Sequence, residues 1–442
     1  MDIETKVLKR ILPSSEEQKR IDDAVSELFG SLKSIARKRD LPFEPLLVGS
    51  IAKGTHLTDP DIDMFLRFPT DISVERMGKI DKDIGRELLD NPEERYAEHA
   101  YISGFWHGFR TDLVPCYDVP SGKGRISAVD RTPFHTEYVR KNLRDNQKND
   151  VRLLKRFLKG VGIYGAEARI QGFSGYLSEI LVIKFGDFGS VIKAGSKWKL
   201  PVHLSLEEKA SRKFDEAFVF VDPVDPGRNV ASPVSAENAR LFIDACRSYL
   251  RNPKLGFFFP KKREMLTDDR LRTLLSKKKG TLLVNLPHID VVEDVLWPQL
   301  RKTGVSVFEI LEREGFSPSK LTLDSDAKGS YIVISCDVEE LPRTYIHFGP
   351  PANSPEAERF RSKWATRGVS PPVIRKGRWQ VEVEREARTL SDVLLMSFPS
   401  VRLGKGFRKM KMPVIVSGDS LLNRKYRKTL TKHFDERRPW ER

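Results

Sequence analysis

LLVGSIAKGTHLTDPDIDMFLRFP, residues 46–69, is the stretch that decides the fold. Leu46-Leu47-Val48 reads as a short buried strand that runs into Gly49-Ser50. A turn of helix or a loop follows from Ile51 to Leu57, and Asp59-Pro60 makes a turn. Ile62, Met64, Leu66 and Phe68 then alternate along a second strand, which Pro69 ends. Asp61 and Asp63 stand at i and i+2, so both point to the other face of that strand. Two carboxylates on one face repel each other unless a cation joins them. Oxygen ligands beside a phosphate partner suit Mg²⁺. Upstream, a strand that ends in Gly49-Ser50 and opens a helical turn offers backbone N–H groups and a hydroxyl to an anion. Lys53 adds a point charge, and only ten residues separate Ser50 from Asp61.

A third carboxylate, Asp112, lies in RTDLVPCYDV (110–119), again alternating with apolar residues. Three carboxylates from two neighbouring strands can hold two divalent ions about 3.5–4 Å apart, the arrangement that serves phosphoryl transfer. A Gly-Ser pair alone says little, and a lone Asp-x-Asp is often a solvated strand edge. The chemistry is carried by their combination on strand, turn and strand, with a further strand Asp following.

Outward from this stretch, residues 14–40 read as an amphipathic helix capped by Ser14 or Ser15, with Ile21, Ala24, Val25, Leu28, Leu32 and Ile35 at helical spacing. Residues 73–89 read as a second helix, and 99–106 and 109–117 as strands. The first region, 1–145, is therefore a mixed sheet with helices on the outside. Helices at 146–160, 174–185 and 234–251 make 146–258 a mainly helical region, interrupted by the strand and proline turns of FVFVDPVDPGRNVAS (218–232). GFFFPKKR (256–263) marks a linker edge. Residues 259–442 read as an α/β body, with strands at 282–287 and 330–338 around a helix at 292–315, followed by a basic tail. The fold class is α+β and multi-domain.

Composition narrows the partners. The chain has 442 residues with 77 Lys and Arg against 62 Asp and Glu, a formal charge of +15, and 39% hydrophobic residues. That describes a folded basic protein, which meets a polyanion, with nucleic acid ahead of a membrane surface. Cys116, Cys246 and Cys336 lie far apart and form no metal-ligand spacing, which favours a reducing, cytoplasmic setting. No apolar run is long enough for a membrane span, and MDIETKVLKR lacks the apolar core of a signal peptide.

Residues 46–69 resemble the nucleotidyltransferase superfamily of polymerase β type. VDRTPFHTEYVR (129–140), NDVRLLKRFLKGVGIYGAEARIQGFSGYLSEILVIKFG (149–186), VDPVDPGRNVA (221–231) and LGFFFPKK (255–262) narrow the likeness to the archaeal, class I CCA-adding tRNA nucleotidyltransferases. It is densest to about residue 265 and continues more weakly through WPQL (297–300) and GRWQVEVER (377–385). The resemblance implies a polymerase β-like palm at the N-terminus, followed by a helical domain and RNA-binding domains. It implies transfer of CMP and AMP from CTP and ATP to a tRNA 3′ end without a nucleic-acid template, and a homodimer. Asp61, Asp63 and Asp112 would hold Mg²⁺, with Asp112 also placed to help deprotonate the 3′-hydroxyl. Ser50 and Lys53 would hold the triphosphate, His135 the nucleotide, Lys155 and Tyr164 phosphate and sugar, and Arg228 the base. Two positions depart from the family pattern. Lys53 stands where Arg is frequent and loses the bidentate fork, and Asp61 stands where relatives can carry Glu.

Taken by themselves these side positions are plainer. Lys155, between Arg152 and Arg156, reads equally as a solvated basic face, Tyr164 as a packing residue and His135 as a structural histidine. Asp222 and Asp225 look like turn acids, and His99 a structural or supporting residue. The last 42 residues carry 13 Lys and Arg and four acids, so +9 of the +15 sits in the last tenth of the chain. Such a segment is either a solvated end or a phosphate-tracking surface for the acceptor stem and T arm of tRNA. Two other readings remain: a related nucleotidyltransferase with a different product, and a non-catalytic RNA-binding protein on the same fold.

Overall fold

The computed structural model describes residues 2–96, 100–206, 209–278, 280–410 and 412–442. It resolves two compact units: Met1–Lys261 together with Arg437–Arg442, and Lys262–Glu436.

The first unit begins with α1 (Ile3–Ile11) and α2 (Ser15–Lys38). Ser14 caps α2, its side chain accepting from the Glu17 N–H at 3.1 Å. There follow β1 (Glu44–Leu47), α3 (Gly49–Ala52), β2 (Ile62–Phe68), α4 (Val74–Leu88), β3 (Asp90–Tyr96), β4 (Ala100–Trp106) and β5 (Phe109–Tyr117). The strands form one sheet in the order β1-β2-β5-β4-β3. Only β2 and β5 run parallel; the other neighbours are antiparallel. α2 and α4 cover one face. Ile21, Leu28 and Leu32 of α2 and Met77 and Ile84 of α4 are buried against Met64, Leu66, Ile102 and Leu113 of the sheet. The opposite face carries the polar residues of β2, β4 and β5.

The same unit continues with α5 (Thr132–Asn142), α6 (Lys148–Val161), α7 (Gly175–Phe185), α8 (Phe188–Lys197), the parallel strands β6 (Val202–Leu204) and β7 (Phe218–Phe220), and α9 (Ala236–Arg251). Its core joins α6–α9 to Val7 and Ile11 of α1. The division expected at 145/146 therefore falls inside one compact unit, because the first helix of the chain packs into the core of the helical region. The break at 261/262 lies close to the expected 258/259. Phe257 and Phe258 are not linker residues but core, and Gly160 of α6 passes so close that a Cβ there would lie 2.0 Å from the Phe257 carbonyl oxygen. Trp440 returns from the C-terminus and stacks on Phe257 at 5.1 Å between ring centroids.

The second unit contains α10 (Asp268–Lys277), β8 (Thr281–Leu286), α11 (Glu293–Glu314), β9 (Pro318–Asp326) and β10 (Gly329–Cys336). β11 (Thr344–Pro351), α12 (Ala357–Trp364), β12 (Val373–Arg375), β13 (Arg378–Glu384), α13 (Leu390–Ser397), β14 (Val414–Ser417) and α14 (Arg427–Phe434) complete it. One antiparallel sheet has the order β14-β8-β10-β9 and another β11-β13-β12. The basic tail is not a free extension. β14 is a sheet strand, and Val416, Leu421, Tyr426 and Leu430 share a core with Leu283, Tyr331 and Val333. His433 is buried between the Ser335 and Thr322 hydroxyls at 2.8 and 2.9 Å, and burial pushes its imidazole down to about 3.

The strands expected at 99–106 and 109–117 appear as β4 and β5, while position 99, and with it His99, lies outside the described residues. β3 has no counterpart in the sequence pattern. DNPEERY carries a proline and several charges, which suit an edge strand. Trp440 is 4% exposed, so Trp440→Ala should lower unfolding stability by about 3–5 kcal/mol. A denaturant melt of the full chain reads this directly; an unshifted midpoint would show that the returning C-terminus adds nothing to the first core.

Candidate active site

The parallel pairing of β2 and β5 sets Asp63 directly opposite Asp112. Asp112 is held by the Ser103 hydroxyl of β4, which donates to its Oδ1 at 2.6 Å. Asp61 precedes β2 by one residue and lies level with Arg110. α3 crosses above Asp63. A Cβ on Gly49 would meet the Asp63 Oδ2 at 1.8 Å, and Gly49 has φ +71°, so this position requires glycine on two counts. Burial, then the Asp112 and Asp61 carboxylates, push Asp63 up to about 7. Burial also raises Asp61, against the pull of Arg110.

Among the described residues no group of three or more His, Cys, Asp or Glu is already clustered at metal-holding distance. The donor set nonetheless fits a hard divalent cation: oxygen ligands only, carrying like charges whose mutual repulsion a cation relieves. The sheet register sets Asp63 opposite Asp112, and Asp61 lies one residue before the start of β2.

The predicted phosphate residues converge on an acid that sequence reasoning missed. Glu179 of α7 is fully buried. Its Oε2 accepts from Lys53 Nζ at 2.6 Å, and its Oε1 from the Thr55 hydroxyl at 2.6 Å and Lys155 Nζ at 3.0 Å. Lys155 also donates to the Thr55 carbonyl at 3.2 Å. Burial opposes the ionised form, but Lys155 and Lys53 outweigh it and hold Glu179 at about 2. Lys155 is thus not part of a solvated basic face: it is 3% exposed, with its ammonium turned inward. Tyr164 lies beside this group. Its hydroxyl would be 3.1 Å from a Cβ on Gly175, and Lys159 Nζ stands 5.2 Å from its ring centroid. Ser50 sits in the first turn of α3, half-buried.

The predicted base-end residues converge on a second missed acid. Asp222 is fully buried, and its Oδ2 accepts from Arg228 Nη1 at 2.8 Å and meets His135 Nε2 at 2.9 Å. Burial again opposes ionisation, and His135 and Arg228 overcome it to hold Asp222 at about 2. The Tyr176 ring stacks on His135 at 4.0 Å, and its hydroxyl donates to Asp222 Oδ1 at 3.3 Å. Asp225 takes Arg125 and Arg131, each at 3.0 Å. Neither acid is merely a turn residue. Together they fasten the segment 125–135 to the loop 222–228.

α7 joins the two ends, since Tyr176 and Glu179 stand three residues apart on it and so project from neighbouring turns. The signal that could have exposed Glu179 was present: a charged residue within the apolar run YLSEILVI is almost never buried unless it is paired.

Comparison with known proteins agrees along the chain. Residues 19–135 match the family described as nucleotidyltransferase domain, 149–259 that described as tRNA nucleotidyltransferase, second domain, and 279–412 that described as CCA-adding enzyme, C-terminal domain. A protein of Picrophilus torridus described as a CCA-adding enzyme is 36% identical over 410 residues, covering 92% of this chain and 93% of its own. One of Archaeoglobus fulgidus with the same description is 38% identical over 382 residues, covering 86% and 85%. One of Halobacterium salinarum is 37% identical over 404 residues, covering 90% and 89%.

The depressed carboxyl of Glu179 stabilises the fold fully above its ordinary value of 4.5, and that stabilisation is lost as pH falls towards about 2. Glu179→Gln keeps the shape and removes the charge. It should reduce stability at neutral pH by about 3–5 kcal/mol, the cost of stranding buried partners. Urea melts across the acid range should show this deficit closing below the ordinary carboxylate value. A deficit that stays constant through that window would remove the charge of Glu179 from the account.

Proposed function

The chain belongs to the CCA-adding enzyme family, the tRNA nucleotidyltransferases, and we propose that it adds C, C and A in turn to the 3′ end of tRNA from CTP and ATP, releasing pyrophosphate. The observation that carries the mechanism is the Asp63–Asp112 pair, set opposite each other across parallel strands beside the two lysines on Glu179.

Asp61, Asp63 and Asp112 would hold the cation, which we take as Mg²⁺. When bound, it lowers the pKa of the attacking 3′-hydroxyl and neutralises charge on the departing pyrophosphate. The chain's own residues do the rest. Ser103 orients the Asp112 carboxylate, which takes the proton of the 3′-hydroxyl. Ser50, Lys53 and Tyr164 grip the triphosphate, and Lys155, whose three donors are taken by Glu179 and by the carbonyl and hydroxyl of Thr55, adds its positive charge from behind them. An ammonium has three donors, so Lys53 can keep its bond to Glu179 and still offer hydrogens to a phosphate oxygen. His135 and Arg228 read the base. Asp222 holds both in position, and the planar guanidinium of Arg228 presents several donors to the edges of C and A.

The RNA partner is read through its acceptor stem and T arm. Arg408, Lys409, Arg424 and Lys428 of the tail are exposed and suit a phosphate-tracking surface. Other tail cations are engaged locally: Arg427 with Asp268, and Arg402 with Glu309. Among the described residues no helix is long and apolar enough to cross a membrane. We place the enzyme in the cytoplasm as a homodimer, following the family pattern.

Labelled CTP and ATP, offered singly and together to a tRNA lacking CCA, test the reaction. Two C additions with CTP alone and one further A when ATP is supplied are expected. Long homopolymer products would favour a different nucleotidyltransferase, and none at all a non-catalytic RNA binder. Asp112→Ala should cut incorporation by roughly a hundredfold or more, the scale of removing one preorganised charge from a reaction site, while tRNA binding persists. Full turnover in that variant would sink the carboxylate assignment. Reversing the charge of Arg408, Lys409, Arg424 and Lys428 should weaken tRNA binding and lower its salt slope by about one unit for each phosphate no longer neutralised. An unchanged salt slope would take the tail out of the RNA site.

A further inference from the structure

The catalytic face of the sheet extends past the carboxylates. The Ser103–Asp112 hydrogen bond shows that these two side chains share a face. Residues two apart on a strand share a face, so Arg110 of β5 and Phe105 of β4 project beside them, and the two are cross-strand partners. The intervening residues point the other way. Trp106 donates its indole N–H to the Ala24 carbonyl of α2 at 3.0 Å, and a Cβ on Gly85 of α4 would meet Ile102. Asp61, Arg110 and Phe105 thus form a row across the sheet, one step from the row Asp63, Asp112 and Ser103.

Phe105 is 44% exposed, a large ring left open next to a reaction centre. A cavity of about 540 Å³ opens at this end of the sheet, lined by Asp61, Phe105, Phe109, Arg110 and Arg20. Its volume lies within the range of small-ligand sites. Glu16, Glu17 and Asp59 also line it, so an anionic backbone entering here is held through Arg110 and Arg20 alone.

The direction of the reaction selects the occupant. In phosphoryl transfer the attacking and leaving oxygens lie roughly in line on opposite sides of the phosphorus. Ser50, Lys53 and Lys155 lie on the α3 side of Asp63, so the pyrophosphate leaves towards α3. The hydroxyl then enters from the far side, over β5 and β4. On that side the exposed Phe105 ring and Arg110, beside the cavity, offer a nucleotide a platform and a cation.

We infer that Phe105 and Arg110 form the binding site for the 3′-terminal nucleotide of the RNA, the Phe105 ring stacking under its base and the Arg110 guanidinium holding the phosphodiester that joins it to the chain. This rests on the nucleotidyl-transfer reading above. A ring stacks on any base, so one platform accepts each of the successive RNA ends that such an enzyme must extend.

The test separates the site from the reaction. A photo-crosslinking p-benzoylphenylalanine in place of Phe105, irradiated with a tRNA lacking CCA and no nucleotide, should attach to the last one or two nucleotides of the RNA. Crosslinks confined to the T arm, to a second copy of the chain, or absent altogether would overturn the site. Crosslinking needs no turnover, so a wild-type protein inert towards CTP would refute the reaction and still leave this result to decide the site. In steady state, Phe105→Ala and Arg110→Ala should each raise KM for the tRNA by roughly tenfold and leave KM for CTP unchanged, with Phe105→Trp restoring the first. A rise in KM for CTP with the tRNA value unmoved would assign both residues to the incoming nucleotide and overturn the proposal. Both side chains are partly or largely exposed, and thermal melts of the variants check that the fold is intact.

Discussion

One buried carboxylate shared by two ammonium groups holds the working end of the molecule together. Glu179 sits in a helix whose other inward residues are mostly apolar, and an isolated charge there would be prohibitive. It is tolerated because Lys53 reaches it from the segment after α3 and Lys155 from α6, with the Thr55 hydroxyl filling a further acceptor position. Three separate segments are thereby tied to one atom pair. The group carries two positive charges and one negative, so it remains cationic after pairing and keeps an attraction for phosphate. A single lysine neutralised by a single acid would have no such attraction.

The second buried acid, Asp222, follows the same logic with a different balance. Arg228 and His135 both meet one of its oxygens, and burial holds the imidazole below its usual value despite that contact. In the reading proposed above, the His135–Asp222–Arg228 group is close to neutral and the Lys53–Lys155–Glu179 group positive, while the carboxylates on the sheet are negative. α7 fixes the spacing between the first two, because Tyr176 and Glu179 are one turn apart on it. A nucleoside triphosphate has this polarity along its length, with a neutral base at one end and an anionic chain at the other.

How much of this was legible depended on the period of the signal. Alternation in IDMFLRF and FRTDLVPCY is strict enough to give both strands and the facing of all three aspartates. The parallel pairing of β2 and β5 is a long-range fact that no local pattern encodes. Lys155 and His135 were ambiguous alone because their partners, Glu179 and Asp222, lie 24 and 87 residues away. The tail misled through its charge. Val416, Leu421, Tyr426 and Leu430 are core residues scattered among lysines and arginines, at no single helical or strand period, since they belong in turn to a strand, a 3₁₀ turn and a helix.

The strand order explains why the three carboxylates have a different neighbour on each flank. β2 and β5 are neighbours but not consecutive, so the chain leaves the sheet after β2 through α4, re-enters at its far edge as β3 and works back through β4 to lie beside β2 as β5. A direct hairpin between the two strands would have made them antiparallel and put their beginnings at opposite ends of the sheet. The parallel return puts the start of both strands, and hence Asp61, Asp63 and Asp112, at the same end. It also leaves β1 with α3 on one flank of the carboxylates and β4 on the other. A displacement reaction needs one side for the group that leaves and another for the group that arrives. The connection that makes β5 parallel to β2 supplies both, and the arriving side is where Phe105 and Arg110 remain uncovered.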